Sequence, residues 1–299
     1  MTPCAVCNGT GFLHGARECF VPRPGKVYAQ ADYPQLELYT LAQCCKKWLG
    51  ASKLADALNA GLDPHLQVAA LIVGISYDEA KKALKDKSHP LHEKVKDARG
   101  AGKVLNFGCP GGLGPTSLVS YAKKAYGVPL TEKQAKSLKK DHWEKAWPEM
   151  PFYFSRINSL IDENTGKATV ETLWTNRRRG RASYCASCNN GFQALGADCA
   201  KRAAWLLTKA MYDPRERSSP LFNSRIVAFV HDEFIAEVND DATAHDAAHE
   251  LARLMVEGAN HFLPDVPIPL SKMEPLLMRR WSKNAEPTKG ADGRLVPWT

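Results

Sequence analysis

The chain has 299 residues, of which 44% are hydrophobic, so it can bury a substantial core in one large domain or two closely associated subdomains. Lysine and arginine number 40 against 32 aspartate and glutamate residues, and the net charge of +8 favours polyanionic partners. The first residues lack a basic segment followed by an apolar one, so we expect no signal peptide, and no stretch approaches the roughly 20 apolar residues of a membrane span. Nine cysteines, an odd number, argue against a secreted disulfide framework. We therefore expect reduced thiols, no membrane partner and a cytoplasmic location.

The first half of the chain begins irregularly and then becomes helical. Residues 1–25 are rich in glycine, proline and cysteine and lack periodicity. The β-rich run Val27–Ala31 is followed directly by Asp32 and by a helical stripe that starts at Leu36. From Ser52 to Leu173 the pattern is mostly helical with proline breaks, which predicts a helical subdomain.

The second half combines helices with a hairpin. An amphipathic pattern predicts a helix over Ala194–Met211. The β-rich runs Ile226–Val230 and Phe234–Val238 flank three charged or titratable residues at 231–233, an order that predicts a hairpin with a polar tip. A further helix is predicted over Thr243–Ala259, and the polar tail after Trp281 is expected to be loose.

Two carboxylates stand at the ends of β-rich runs, Asp32 after the first and Asp232 in the hairpin tip. Phosphoryl transfer needs metal ions that activate the attacking hydroxyl and neutralise charge on phosphorus, and two carboxylates on rigid elements can hold them. A palm-like sheet would bring these two together despite their separation in sequence. The alternative is that Asp32 caps the following helix and Asp232 only serves the turn.

Arg99, Lys103 and Phe107 recur every four residues, so in a helix they share one face. Two cations followed by a ring suit a nucleoside triphosphate, with charge for the phosphates and an apolar surface for the sugar and base. The alternatives are a solvated charged face and a core position for Phe107.

The sequence around these residues resembles family A of the DNA polymerases, the polymerase I type. Asp32–Leu38 (DYPQLEL) is similar to the first motif of that family, Arg99–Gly108 (RGAGKVLNFG) to the second and Val230–Glu233 (VHDE) to the third, in the family's order. The likeness extends over roughly residues 17–281 and includes the segments GLDPH at 61–65, ETL at 171–173 and NNGFQ at 189–193.

The resemblance implies an α+β fold, with a palm of antiparallel sheet and helices and a helical fingers subdomain, in a right-hand architecture that lacks a thumb. The expected division is an irregular lead-in at 1–25, palm at 26–50, fingers at 51–175, palm at 176–285 and a loose tail at 286–299. The implied function is template-directed DNA synthesis in replication, in which two Mg²⁺ ions support transfer of deoxynucleotides to a primer 3′ end.

Roles for individual residues follow from the same resemblance. The implied metal ligands are Asp32, Asp232 and the Tyr33 carbonyl, with Lys103 as general acid and Glu233 as an outer carboxylate. The implied nucleotide-binding residues are Arg99, Lys103, Phe107, His65, Gln35 and Glu37, of which Glu37 would exclude a 2′-hydroxyl. The implied primer and template contacts are His231, Gln193, Asn189, Arg177, Arg178 and Arg179, although the arginine run also fits a solvated loop.

The chain departs from the family pattern after Phe107. Gly111 stands where the family has tyrosine, within the run Cys109-Pro-Gly-Gly, so we expect the helix to end or kink near Cys109. The tyrosine is the usual partner of Glu37, and its absence predicts altered sugar selection. Tyr39 stands where arginine is usual. These variants resemble bacteriophage-encoded members, which would function in a bacterial cytoplasm.

Only about thirty residues precede Asp32, where the family carries a thumb and usually an exonuclease-type domain. We therefore expect low processivity and strong salt sensitivity, and a separate thumb and exonuclease polypeptide is a candidate partner. The alternatives are one subunit of a split polymerase, a catalytically incomplete DNA-binding fragment and a relative of single-subunit RNA polymerases. Two CxxC pairs, Cys4 with Cys7 and Cys185 with Cys188, are too far apart for typical zinc-finger spacing, and we expect ordinary thiols.

Overall fold

The computed structural model describes residues 15–298. This part of the chain divides into two compact units, which are described separately. The first unit contains the described residues of Met1–Pro34, Cys199–His261 and Ile268–Thr299, and the second contains Gln35–Asp198 and Phe262–Pro267.

In chain order the strands and α-helices are β1 (Lys26–Asp32), α1 (Leu36–Leu49), α2 (Lys53–Asn59), α3 (Pro64–Val73), α4 (Tyr77–Lys85), α5 (His92–Gly108), α6 (Pro115–Tyr126), α7 (Glu132–Ser137), α8 (Glu144–Ala146), α9 (Met150–Asn158), β2 (Ala168–Glu171), β3 (Arg178–Ala182), α10 (Tyr184–Tyr212), β4 (Arg225–Val230), β5 (Glu233–Asn239), α11 (Ala244–Asn260), β6 (Leu276–Met278), β7 (Thr288–Lys289) and β8 (Leu295–Val296).

The first unit is built on a four-stranded antiparallel sheet in the order β4-β5-β1-β6. Alternate residues of β1 point to opposite faces, and Val27, Ala29 and Ala31 are buried on a strand that α11 contacts. On the other face Tyr28 joins an apolar cluster that includes Met278 of β6. Because both faces of β1 are covered, its register is fixed, and the carboxyl end of the strand has one defined position.

The second unit is mainly helical, with the two-stranded sheet β2–β3. Its helices α3, α4 and α5 enclose an apolar cluster built around Leu66, Ala69 and Val95. The start of α3 follows from local chemistry, because Asp63 accepts backbone N–H bonds from the first turn and Pro64 occupies the first helical position.

The mixed α+β fold is the one expected from the sequence. Strand β1, the β4–β5 hairpin and α11 lie where the periodicity placed them, and α5 ends at Gly108 before a 3₁₀ turn at Cys109–Gly111, as the Pro-Gly-Gly run predicted. Helix α10, however, begins at Tyr184, well before the expected Ala194. The sequence of its first turns is rich in Cys, Asn and Gly, which are poor helix formers, so the local sequence did not predict a helix there.

The expected loose tail is not what the structure shows for residues 286–298. Strands β7 and β8 pair with each other, Leu295 is buried, and the backbone N–H of Trp298 donates to the carbonyl of Leu277 at 2.8 Å. Apolar residues scattered in a polar tail produced no periodic signal, and distant parts of the first unit bury them. The domain boundaries themselves stay a prediction.

Residues 15–25 contain a 3₁₀ helix at Ala16–Cys19, within the expected irregular lead-in. The CxxC pair Cys4 and Cys7 lies outside the described residues. In the described part of the chain, no helix combines the length and the apolar character needed to cross a membrane.

Candidate active site

The paired carboxylates lie at adjacent strand ends in the first unit. Asp32 is the last residue of β1, and the β1–β5 register pairs it with Glu233. Asp232 lies in the tight turn between β4 and β5, where His231 has a positive φ of 59°. The backbone N–H of Tyr33 reaches the carbonyl of Asp232 at 3.4 Å. The sheet therefore brings together two carboxylates that are 200 positions apart in sequence.

Electrostatics around this pair favour a bound cation. Partial burial, followed by the charge of Asp232 and a side-chain hydrogen bond with it, raises the pKa of Asp32 to about 7. Glu233 adds further repulsion, while the Tyr33 N–H acts in the opposite direction. Asp32 keeps access to solvent, so an ion can reach it. A positive charge bound beside two carboxylates this close would favour the charged form of Asp32.

Glu233 is held by neighbours that sequence analysis did not assign to the site. Its Oε1 accepts a hydrogen bond from Trp281 Nε1 at 2.9 Å, and its Oε2 lies 3.5 Å from Arg17 Nη1. The Arg17 guanidinium stacks on the Trp281 ring at 4.4 Å. The negative charge of Glu233 is thus partly balanced, and its carboxylate is fixed beside the aspartate pair.

The donor set fits magnesium. Within residues 15–298 no group of three or more His, Cys, Asp or Glu side chains is arranged to hold a metal. Mg²⁺ is commonly bound by only one or two carboxylates, with water and substrate phosphates completing its shell. Asp32 and Asp232 match that pattern, and their mutual repulsion is the charge imbalance that a cation corrects.

In the second unit, α5 places Arg99, Lys103 and Phe107 on one face, because all three lie within its helical span. Lys103 is exposed and Phe107 is half-buried. Arg99 Nε donates to Asp63 Oδ2 at 2.7 Å. Burial would raise the pKa of Asp63, but the hydrogen bond and charge of Arg99 outweigh it and lower that pKa. Sequence analysis did not predict this ion pair between Arg99 and Asp63.

His65 is fully buried beneath this face. Its Nδ1 pairs with Asn106 Nδ2 at 3.0 Å, while its Nε2 has no hydrogen-bond partner. Asn106 Oδ1 accepts from the indole N–H groups of Trp143 and Trp147 at 3.0 and 2.8 Å. Burial, together with the charges of nearby cations on α5, lowers the pKa of His65 to about 4, so the ring is neutral.

The close approach of α3 and α5 depends on Gly102. A Cβ at this position would lie 2.5 Å from the backbone oxygen of His65, closer than any real contact. The ring of His65 lies 5.3 Å from that of Phe107, measured between centroids. Gly102 therefore determines how closely α3 approaches α5, and with it the position of the His65 imidazole. The sequence motif alone did not indicate this role.

Glu37 and Gln193 come together from α1 and α10. Gln193 Nε2 donates to Glu37 Oε1 at 2.9 Å. Gln35, just before α1, has a left-handed backbone with φ 56°. Asn189 lies on the same part of α10 as Gln193 and donates to the Cys185 carbonyl at 2.9 Å.

The three arginines of the 177–179 run differ in their contacts. Arg177 forms an ion pair with the buried Asp198 at 2.7 Å, and Arg178 pairs with Glu171 at 2.7 Å. Arg179 is exposed in β3. The run is therefore only partly solvated, since two of its members are tied to carboxylates.

An antiparallel sheet that ends in paired carboxylates, together with a helical unit that has a cationic helix face, is the α+β arrangement expected of a polymerase. A family model described as DNA polymerase family A matches residues 10–273. This chain belongs to DNA polymerase family A.

Relatives with known names agree with this assignment. DNA polymerase I of Aquifex aeolicus is 26% identical over 270 residues, which cover 90% of this chain and 41% of the relative. DNA polymerase I of Lactococcus lactis subsp. lactis is 30% identical over 234 residues, 74% of this chain and 23% of the relative. The chain thus spans less than half the length of these relatives.

A solved structure shares the fold. The POL domain of Pol1 from M. smegmatis, in complex with DNA primer-template and dNTP, matches with a TM-score of 0.63 and 23% sequence identity. The match covers 89% of this chain and 42% of that one. At this level of identity the likeness concerns the fold.

Proposed function

We propose that this chain is the catalytic core of a template-directed DNA polymerase that adds deoxynucleotides to a primer 3′ end. The observation that carries the proposal is the pair of Asp32 and Asp232 at adjacent strand ends, with the pKa of Asp32 raised to about 7. Family membership supports it, and the M. smegmatis relative was solved with primer-template and dNTP. We extend those two partners to this chain.

Asp32, Asp232 and the Tyr33 carbonyl are the proposed ligands of two Mg²⁺ ions. Bound Mg²⁺ would lower the pKa of the primer 3′-hydroxyl and neutralise charge on the phosphorus. The aspartates would hold the ions in their charged form, so metal binding would release the proton of Asp32. Glu233, fixed by Trp281 and Arg17, adds negative charge to the site without itself being a ligand.

The cationic face of α5 is the proposed site for the triphosphate. Lys103, exposed and on the same face as Arg99, would bind phosphate and deliver a proton to the departing pyrophosphate. The bond from Arg99 to Asp63 uses Nε, and the guanidinium carries further N–H donors for phosphate oxygens. Phe107 would contact the sugar and base. His65 would support the face from below, where its neutral ring contacts Phe107.

Sugar and duplex contacts complete the proposal. Glu37, held by Gln193, would exclude a 2′-hydroxyl from the incoming nucleotide, and Gln35 would line the same end of α1. The residues proposed to contact primer or template are His231, Gln193, Asn189, Arg177, Arg178 and Arg179. Minor-groove acceptors common to all base pairs suit Gln193 and His231, while the arginines suit phosphates.

Primer extension with Mg²⁺ and single deoxynucleotides tests the proposal. We expect extension by the wild-type chain and by Asp78→Asn, a matched control on an exposed turn of α4, but none by Asp32→Asn or Asp232→Asn. Undiminished extension by Asp232→Asn would rule the mechanism out. Extension that needs a separate thumb-bearing polypeptide would identify a split polymerase, and DNA binding without extension under either condition would identify a catalytically incomplete fragment.

A further inference from the structure

The backbone places Glu233 beside both proposed metal ligands. Glu233 follows Asp232 in the chain, and the β1–β5 register puts it opposite Asp32. Three carboxylates this close could form one oxygen-rich cation site. Nevertheless, among the residues that the structure describes, no three acidic, histidine or cysteine side chains are arranged to hold a metal. The side chain of Glu233 therefore does not converge with those of the two aspartates.

Both carboxylate oxygens of Glu233 are held by other side chains of the same unit. Trp281 Nε1 donates to Oε1 at 2.9 Å, and Arg17 Nη1 lies 3.5 Å from Oε2. Glu233 is only 8% exposed, so water offers it little alternative to these two partners. A carboxylate engaged in this way has to give up a hydrogen bond or an ion pair before it can bind a metal ion.

Trp281 is fixed independently of Glu233. Its ring packs against the apolar cluster that includes Tyr28, and its backbone N–H donates to the Phe20 carbonyl at 3.1 Å. The ring of Phe20 meets the indole edge to face, with centroids 5.8 Å apart, and the Arg17 guanidinium lies over the indole at 4.4 Å. The indole N–H therefore has a defined position, and it holds the Glu233 carboxylate there.

We propose that Trp281 and Arg17 are positioning residues that keep Glu233 out of the metal coordination shell and thereby favour Mg²⁺ over Ca²⁺. This inference rests on the proposed function, which places the ions on Asp32 and Asp232. Mg²⁺ is bound by one or two carboxylates and keeps several waters, whereas Ca²⁺ takes about six to eight oxygen ligands in a flexible geometry. A third free carboxylate would therefore benefit Ca²⁺ more than Mg²⁺.

Competition for bound Mn²⁺ measures this preference without any turnover. The electron paramagnetic resonance signal of free Mn²⁺ reports how strongly Mg²⁺ and Ca²⁺ displace Mn²⁺ from the chain. We expect Trp281→Phe, which keeps a ring and removes the donor, to raise the ratio of Ca²⁺ to Mg²⁺ affinity about tenfold. Trp205→Phe, at a tryptophan of α10 that is 54% exposed, is the control and should leave the ratio unchanged.

Arg17→Gln separates the position of Glu233 from the charge of the site. Loss of this positive charge strengthens the attraction of both divalent ions, so only a change in the ratio reports a released Glu233. We expect the ratio to rise in this variant as well. Circular dichroism checks folding, and Arg17→Gln, at a partly exposed side chain, carries the test if Trp281→Phe unfolds.

Glu233→Gln decides whether the effect passes through Glu233. Its combination with Trp281→Phe should show no more preference for Ca²⁺ than Glu233→Gln alone. An unchanged ratio in Trp281→Phe, or a raised ratio that persists in the double variant, would overturn the inference and leave the polymerase proposal intact. If instead the wild-type chain binds no Mn²⁺, or Asp232→Asn does not weaken its binding, the metal site of the proposed function fails and this inference with it.

Discussion

Among single residues, Asp32 links the proposed chemistry to measurable stability. Its pKa in the folded chain is about 7, whereas the ordinary value is 3.8. The folded state therefore holds a proton that the unfolded state has released, and the free energy of unfolding falls as pH rises between these two values. The metal-free protein should be less stable at pH 8 than at pH 5 on account of this one group.

The change Asp32→Asn tests this effect, because asparagine carries no charge at either pH. We expect it to raise the free energy of unfolding at pH 8 by about 1–2 kcal/mol in the presence of a chelator, a value reduced for solvent screening of an accessible group. At pH 5 the gain should be much smaller. Urea unfolding at both pH values measures it, with Asp78→Asn as control, and an equal gain at pH 5 and pH 8 would contradict the assignment.

Lys103 and Lys94 offer a matched comparison on one helix. Both are exposed on α5, but only Lys103 shares the face of Arg99 and Phe107. Loss of a general acid costs roughly 10²–10⁴ in rate, so Lys103→Ala should lower kcat at least about 100-fold. Lys94→Ala should stay near wild type. Single-turnover extension assays compare the two variants, and similar losses in both would show that only overall positive charge matters.

At the scale of secondary-structure elements, the crossing of α3 and α5 depends on Gly102. A methyl group there would meet the backbone oxygen of His65 at 2.5 Å, and backbone cannot rotate away as a side chain can. We expect Gly102→Ala to destabilise the chain by about 1–3 kcal/mol. Activity should fall as well, because the side chains of His65 and Phe107 would shift.

Gly100→Ala is the matched control in the same helix. No atom lies within 4 Å of a Cβ built at Gly100. Alanine favours the helix over glycine by about 0.5–1 kcal/mol, so this variant should be slightly more stable than wild type. If the close approach of α3 and α5 is the cause, urea unfolding will show a lower free energy of unfolding for Gly102→Ala and a higher one for Gly100→Ala. A change of the same sign in both variants would exclude the close approach as the cause.

The elements also differ in how readily the sequence predicted them. Strand β1, the β4–β5 hairpin and α11 are set by local apolar periodicity, and all three were predicted. The first turns of α10 and the strands β7 and β8 were not, because poor helix formers and isolated apolar residues gain their stability from distant neighbours. Gly191 shows that the first turns of α10 pack closely against a helix far away in sequence, since a Cβ there would lie 2.7 Å from the ring of Trp48 on α1.

At the scale of the whole molecule, the charge of +8 and the arginine run predict DNA binding that weakens steeply with salt. Of the three arginines at 177–179, Arg179 should contribute most to DNA binding. Arg177 and Arg178 are paired with carboxylates, whereas no ion pair involves Arg179 in the described part of the chain. Arg179→Ala should reduce the slope of log affinity against log salt by about 1. Fluorescence anisotropy over a salt series measures it, and a larger change for Arg178→Ala would reverse the ranking.

The sequence by itself determined the family, the two aspartates and the cationic face of α5, because these depend on motifs and on helical or strand periodicity within short segments. The tertiary structure alone decided which partners hold the predicted site residues: Asp63 for Arg99, Trp281 for Glu233 and Gln193 for Glu37. Each of these contacts joins segments far apart in the chain, and side-chain packing, not local propensity, selects them. A sequence motif therefore predicts which groups react, while packing determines how firmly each of these side chains is held.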